Sequence, residues 1–242
     1  MKNVQSKTLA QLVNANYRAA TVFEKYNLDF CCRGKRTLLQ ACAELKLPVE
    51  AVEKELELVT NSERQTTGVH ELSLTQLSDH IVDTHHVYVK SETPSISHYL
   101  NKIATKHGDR HPELKELAET FNELANEMSN HMEKEEAFVF PLLKAYESNS
   151  TEQDDSSRFT GISTPLTMLE HEHDDAGRLL DKIRQLTSNF TPPADACTTY
   201  KLAFASLHAF QTDLHQHVHM ENNILFPKAM KLQEERNNAM LN

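Results

Sequence analysis

A chain of 242 residues with 39% hydrophobic residues is long enough for one large domain or two small ones, each with a buried core. Only 5 glycines and 8 prolines occur, which suits long helices better than a sheet protein, and no Gly-rich loop is present to cradle a phosphate. The formal net charge of -10 argues against nucleic acid or an anionic membrane surface as a partner, because both call for Lys and Arg.

The N-terminal residues Met1 to Ser6 are followed by no apolar stretch long enough for a signal peptide. No run approaches membrane-spanning length. Four cysteines, with Cys31 and Cys32 adjacent, do not make a disulfide scaffold, so the expected compartment is the reducing cytoplasm. Residues 1–60 are expected to form a small helical unit. Leu9, Leu12, Val13, Tyr17, Ala20 and Phe23 give one helical apolar face. Leu38, Leu39, Cys42 and Leu45 give another, and Val49, Val52, Leu56 and Val59 a third that starts after Pro48. A core this small is marginal alone and leans on a neighbour. The polar stretch 61–72 reads as a linker.

Residues 73–242 read as an antiparallel four-helix bundle, so the fold class is all-α. Long helical patterns run over about 73–106, 112–147, 164–190 and 196–234. Short breaks imply antiparallel neighbours, and the longest loop, from Ser148 to Gly161, joins the two halves.

Those halves repeat each other. His131 to Pro141 and His217 to Pro227 both read H-x3-E-x4-F-P, and Ile81 to His86 aligns with Met168 to His173. Each half thus offers one lone histidine and then an H-x3-E helix. Residues four apart lie about 40° apart around a helix and about 6 Å along it, so His131 projects with Glu135, and His217 with Glu221. The apolar seams point these groups inward. One runs Leu117, Phe121, Leu124, Met128, His131, Glu135, Phe138, Leu142, and another Ala203, Leu207, Phe210, Leu214, His217, Glu221, Ile224. The third runs Leu166, Leu169, His173, Ala176, Leu180, Ile183. On the first helix the early seam, Leu74, Leu77, Ile81, leads toward His85, whereas the later one, Val89, Thr93, Ile96, leads back to His86. The repeat alignment selects His86. A lone core histidine is ordinarily satisfied by a hydrogen bond, but four histidines and two glutamates in a duplicated inward pattern call for metal, because an unpaired buried carboxylate costs several kcal/mol. His171, His215 and His219 lie two residues from a chosen ligand and are expected on the solvated face, as are His70, His80 and His98.

Six such donors exceed one tetrahedral zinc site, and no H-E-x-x-H is present. Mixed nitrogen and oxygen ligation suits iron or manganese. Two carboxylates can bridge two ions, and the residual positive charge favours an oxo or hydroxo bridge.

These motifs resemble a hemerythrin-like domain, and Asn27-Leu28-Asp29-Phe30-Cys31-Cys32-Arg33-Gly34 resembles the short domain that precedes it in the ScdA-type, repair-of-iron-centres family. The resemblance implies a non-haem centre of two Fe ions in a cytoplasmic protein that restores iron–sulfur clusters damaged by nitric oxide or oxidants. Damaged iron–sulfur proteins and small ligands such as NO or O2 are the implied partners, and a homodimer is an open alternative. The activity would be NO reduction at the di-iron centre or donation of iron. A sensor or carrier of O2 or NO without turnover fits the bundle equally. The family's ligands fall on His86, His131, Glu135, His173, His217 and Glu221, its supporting glutamates on Glu127 and Glu172, and its cysteine pair on Cys31 and Cys32. That pair reads either as a buried structural element or as a redox or metal-handling one. Arg33 stands where the family commonly has glycine.

Overall fold

The computed structural model describes residues 4–60, 68–148 and 161–240. Most of the expected linker 61–72, and nearly all of the loop after Ser148, lie outside the described residues. Among the described residues the regular elements are helices, joined by one isolated bridge between Thr8 and Thr37.

The N-terminal helices are α1 (Leu9–Ala15), α2 (Ala19–Lys25), α3 (Leu38–Glu44) and α4 (Val49–Thr60). Thr8 caps α1 and Thr37 caps α3, each reciprocated by the glutamine three residues on. The two caps are stitched together, since Leu9 N–H donates to Arg36 O and Leu38 N–H to Lys7 O, both at 2.9 Å. The single apolar face expected from Leu9 to Phe23 is split, because the chain turns extended at Asn16 between α1 and α2. Leu39 and Leu45, read as core, are exposed, while Leu38, Ala41 and Cys42 are buried.

Between α2 and α3 lies the cysteine turn. Asp29 Oδ1 accepts the backbone N–H groups of Cys31, Cys32 and Arg33 at 3.1, 3.0 and 3.3 Å. Gly34 closes the turn, where any Cβ would collide with the Phe30 carbonyl.

Four long helices follow. α5 joins Leu74–Ile81 to Val87–His107 through a π turn at Val82–His86. α6 joins Glu113–Lys134 to Phe140–Glu147 through a π turn at Glu135–Val139. α7 is Ser163–Leu186, an uninterrupted α-helix. α8 joins Thr198–Met220 to Phe226–Met240 through a π turn at Glu221–Leu225. α7 stops short of the expected 190, because Ser188, Asn189 and Phe190 all adopt positive φ. α5 packs beside α6 and α8, and α6 beside α7.

Each π turn inserts about one extra residue and so rotates the following seam by roughly 100°. This settles the two seams of α5: Ile81 lies before the turn, Val89 after it, and both His85 and His86 are buried. It also corrects the expectation for α6. Phe138 is 72% exposed, and Val139, Phe140 and Leu143 fill the core instead. Pro141 and Pro227 each follow the first residue of the resumed α-helix, where the distorted ladder tolerates a missing N–H.

The N-terminal helices lie against α7 and α8. Phe30 packs edge-on to His215 and His219, with ring centroids 6.0 and 5.5 Å apart. Glu24 binds His215 Nδ1 at 2.5 Å, Asn14 Oδ1 lies 2.9 Å from His219 Nε2, and Asn223 donates to Cys31 O at 3.0 Å. His215 and His219 were expected in solvent, yet they face this unit. One apolar cluster accordingly runs from Leu9, Phe23 and Phe30 into Phe121, Leu180 and Phe210 of the bundle.

The π-turn register makes a direct prediction. Phe140→Ala should cost about 3–5 kcal/mol in urea unfolding, while Phe138→Asp should change stability by no more than about 0.5 kcal/mol. The reverse ranking would show that α6 is an ordinary α-helix through this region.

Candidate metal centre

The bundle core is divided in two. The larger cluster includes Ile96, Leu117, Phe121 and Phe210, and the smaller includes Leu77, Phe140, Leu166 and Phe226. Between them lies a layer of polar groups. His86, Glu135, His173, His217 and Glu221 are each 0% exposed and His131 is 2% exposed.

The layer is organised as two adjoining sets. His86, Glu135, His217 and Glu221 bring one donor atom each within 4.8 Å of one another, and so do His131, Glu135, His173 and Glu221. Both glutamates belong to both sets. Glu135 turns Oε2 to His86 Nε2 and Oε1 to His131 Nε2, each at 3.3 Å. Glu221 turns Oε1 to His217 Nε2 and Oε2 to His173 Nε2, each at 3.0 Å. The imidazoles face each other in pairs, His86 Nε2 to His217 Nε2 at 3.2 Å and His131 Nε2 to His173 Nε2 at 3.0 Å. The H-x3-E spacing and the π turns that begin at Glu135 and Glu221 aim these groups at one small volume.

Three of the imidazoles are held from behind. His86 Nδ1 lies 2.7 Å from Glu136 Oε1, which also takes a 2.7 Å hydrogen bond from Lys90. His131 Nδ1 lies 2.8 Å from Glu172 Oε2, whose other oxygen meets Lys134. His173 Nδ1 lies 2.8 Å from Asn222 Oδ1. His217 Nδ1 is buried with no partner. His85 stacks on the His217 ring and binds Asp213 Oδ1 through Nδ1 at 2.9 Å. The hydrogen bond to His131 holds Glu172 down to about 2. Burial would raise Glu136, but the hydrogen bonds from Lys90 and His86 keep it below the usual carboxylate range.

Glu172 thus supports His131 from the neighbouring helix. Glu127, the other supporting glutamate that the resemblance implies, is on the exposed face of α6. Glu136 and Asn222 escaped the sequence reading. The signal was available, since both directly follow a shared glutamate and occupy the same place in the repeat.

The donor set suits a pair of cations. Both Glu135 oxygens and Glu221 Oε2 are buried without a hydrogen-bonded partner, although imidazole nitrogens lie close by. Such groups in an apolar interior are tolerable when an ion satisfies them. Two imidazoles and two shared carboxylate oxygens for each position also leave further coordination sites open.

The cysteine turn sits beside this layer. Cys32 Sγ lies 3.4 Å from the backbone oxygen of His173 and 3.8 Å from Cys31 Sγ. Asp29, Cys31 and Cys32 form a further cluster with metal-ligating chemistry, and all four cysteines are free thiols. Cys31 is buried, and its thiol pKa is pushed up by the hydrogen bond with Cys32 and by burial. A cleft of about 360 Å³ reaches both thiols between the N-terminal helices and α7.

Residues 77–229 match the hemerythrin HHE cation binding domain, and residues 5–60 match ScdA_N, a domain of unknown function. The iron–sulfur cluster repair protein YtfE of Citrobacter koseri is 35% identical over 93% of this chain and 97% of its own length. Proteins of the same name from Yersinia pseudotuberculosis and Yersinia pestis are 33% identical over 94% of this chain and 98% of theirs. Among the described residues no helix is long and apolar enough to cross a membrane. With that identity over nearly the full length of both chains, and with a cation binding domain that spans the paired histidine and glutamate sets, the chain belongs to the YtfE-type family of iron–sulfur cluster repair proteins.

Proposed function

We propose that this protein binds two iron ions at His86, His131, Glu135, His173, His217 and Glu221 and acts in the cytoplasm to repair iron–sulfur clusters damaged by nitrosative or oxidative stress. The observation that carries the reading is the sharing of Glu135 and Glu221 between two pairs of imidazoles. Repair is the function named for the relatives. Two divalent ions bring more charge than two carboxylates neutralise, so small anions are favoured at the open positions. The ion pair would supply redox chemistry toward NO or iron for a damaged cluster. The chain's own contribution is orientation. Glu136, Glu172 and Asn222 each accept an Nδ1–H, which fixes the imidazole tautomer and turns the Nε2 lone pair inward.

A sensor or carrier would need the same bundle but no thiols. The contact of Cys32 with the His173 backbone favours repair, in which the Cys31–Cys32 pair handles electrons or metal.

Glu135→Leu or Glu221→Leu should lower bound iron from about two per chain to about half of that or less, because each removes a ligand from both positions. Full metal loading in both variants would refute the ligand assignment. Loading should also release protons. Burial works against charge on His131, but Glu135 beside it and the hydrogen bond to Glu172 outweigh burial and raise its pKa to about 10. The Glu135 carboxylate 3.3 Å from His86 and the charge of Glu221 likewise overcome burial to raise His86. An imidazolium must lose its proton to ligate, so raising the pH from 6 to 8 should tighten metal binding, with proton uptake by buffer measured on mixing. Binding that is indifferent to pH and releases no protons would contradict this.

For function, cells lacking the protein should recover aconitase-type activity more slowly after NO exposure. Reintroducing the chain with Cys31→Ser and Cys32→Ser should restore iron binding but not recovery. Normal recovery without the protein would remove the case for repair, and full rescue by the cysteine variant would favour the carrier.

A further inference from the structure

The two halves of the bundle are related residue by residue: His86 corresponds to His173, Glu136 to Asn222, His131 to His217, and Glu172 to His85. The supporting contacts obey the same relation, since the pair His86–Glu136 is repeated by His173–Asn222. The pair His131–Glu172 should then be repeated by His217 and residue 85, and there the relation fails. Residue 85 is an imidazole, not a carboxylate. Its Nδ1 is committed to Asp213 at 2.9 Å, and its ring lies parallel to that of His217 with centroids 5.5 Å apart. In this arrangement His217 Nδ1 and His85 Nε2 both remain buried without partners.

A ligating imidazole held by a carboxylate or amide is fixed in orientation and made more basic, and loss of such a partner costs about 10–100-fold in metal affinity. The position served by His131 and His173 has both imidazoles held. The position served by His86 and His217 has one held and one free. His85 also forms part of the wall of a cavity of about 380 Å³ between the N-terminal helices and the bundle, bordered by three more imidazoles, His70, His80 and His219. This cavity therefore lies on the side of the weaker position, next to the His85 ring that stacks on His217.

We infer that the two metal positions are unequal, and that His85, standing where the other half carries Glu172, makes the His86/His217 position the one that releases its ion. The inference rests on the two-ion reading of the centre. It makes His85 a positioning residue that acts through His217, and it assigns the chain one exchangeable and one retained cation.

The test is anaerobic transfer of iron from the reduced, fully loaded protein to an excess of a bipyridine-type Fe(II) chelator, followed by absorbance. The wild-type chain should lose iron in two phases of one ion each, with rates at least about 10-fold apart. His85→Glu supplies the missing carboxylate and should slow the fast phase toward the slow one. Glu172→His imposes the same defect on His131 and should bring the slow phase up to the fast one. Should His85→Glu fail to retain two irons, Glu172→His decides alone: an accelerated slow phase supports the inference, and an unchanged one overturns it. Two irons leaving the wild type in a single phase overturn the inference and leave the metal centre standing. Fewer than two irons at the outset overturn both.

Discussion

The fold is organised around six polar side chains placed where packing alone would put leucine. Two carboxylates and four imidazoles, all but wholly buried, interrupt the apolar interior and split it into two clusters. Desolvating such groups costs several kcal/mol each unless something satisfies them, so the surrounding structure answers to that need. Helices α5, α6 and α8 each abandon the α-helical ladder at this level and insert a π turn, a distortion that recurs at functional sites. Behind the imidazoles stand Glu136, Glu172 and Asn222, and behind the two glutamates stand Lys90 and Lys134, so buried charge is passed outward to solvent in steps.

Much of this was legible in the sequence because it rests on local periodicity. The H-x3-E-x4-F-P repeat identified both shared glutamates and their partner histidines, and the seams of α7 needed no revision over Leu166 to Ile183. The misreadings share a cause. A constant period of 3.6 was carried through π turns, which placed Phe138 inside and left His85 and His86 as rivals, although both are buried. The conflict between the two seams of α5 was itself the trace of the inserted residue. The E-x4-F-P segment carries a similar trace, since a proline inside an otherwise helical run marks a place where the ladder is already broken.

What periodicity could not supply is which exposed-looking face meets another part of the chain. His215 and His219 lie off the bundle seam, and nothing local distinguishes a histidine facing water from one facing Phe30, Glu24 and Asn14. Nor does periodicity distinguish the two expected supporting glutamates, Glu127 and Glu172: His131 meets Glu172, on a different helix, through a contact that depends on how α6 and α7 are paired. The cysteine turn belongs to this class as well. Asp29 and Gly34 shape it locally, but its placement against the His173 backbone follows from the docking of the N-terminal helices on α7 and α8.

The distribution of donors between the halves has a bearing on how such a centre could arise. Each set of four takes one imidazole from the α5–α6 hairpin, His86 or His131, and one from the α7–α8 hairpin, His217 or His173, and each hairpin lends its glutamate to both. Neither hairpin alone can complete even one position. Two copies of a single hairpin, brought together about a twofold axis, would supply the same six donors in the same arrangement. The present chain has the form of such a pair fused end to end, and in a single chain the two copies need not be identical, as the difference between His85 and Glu172 shows.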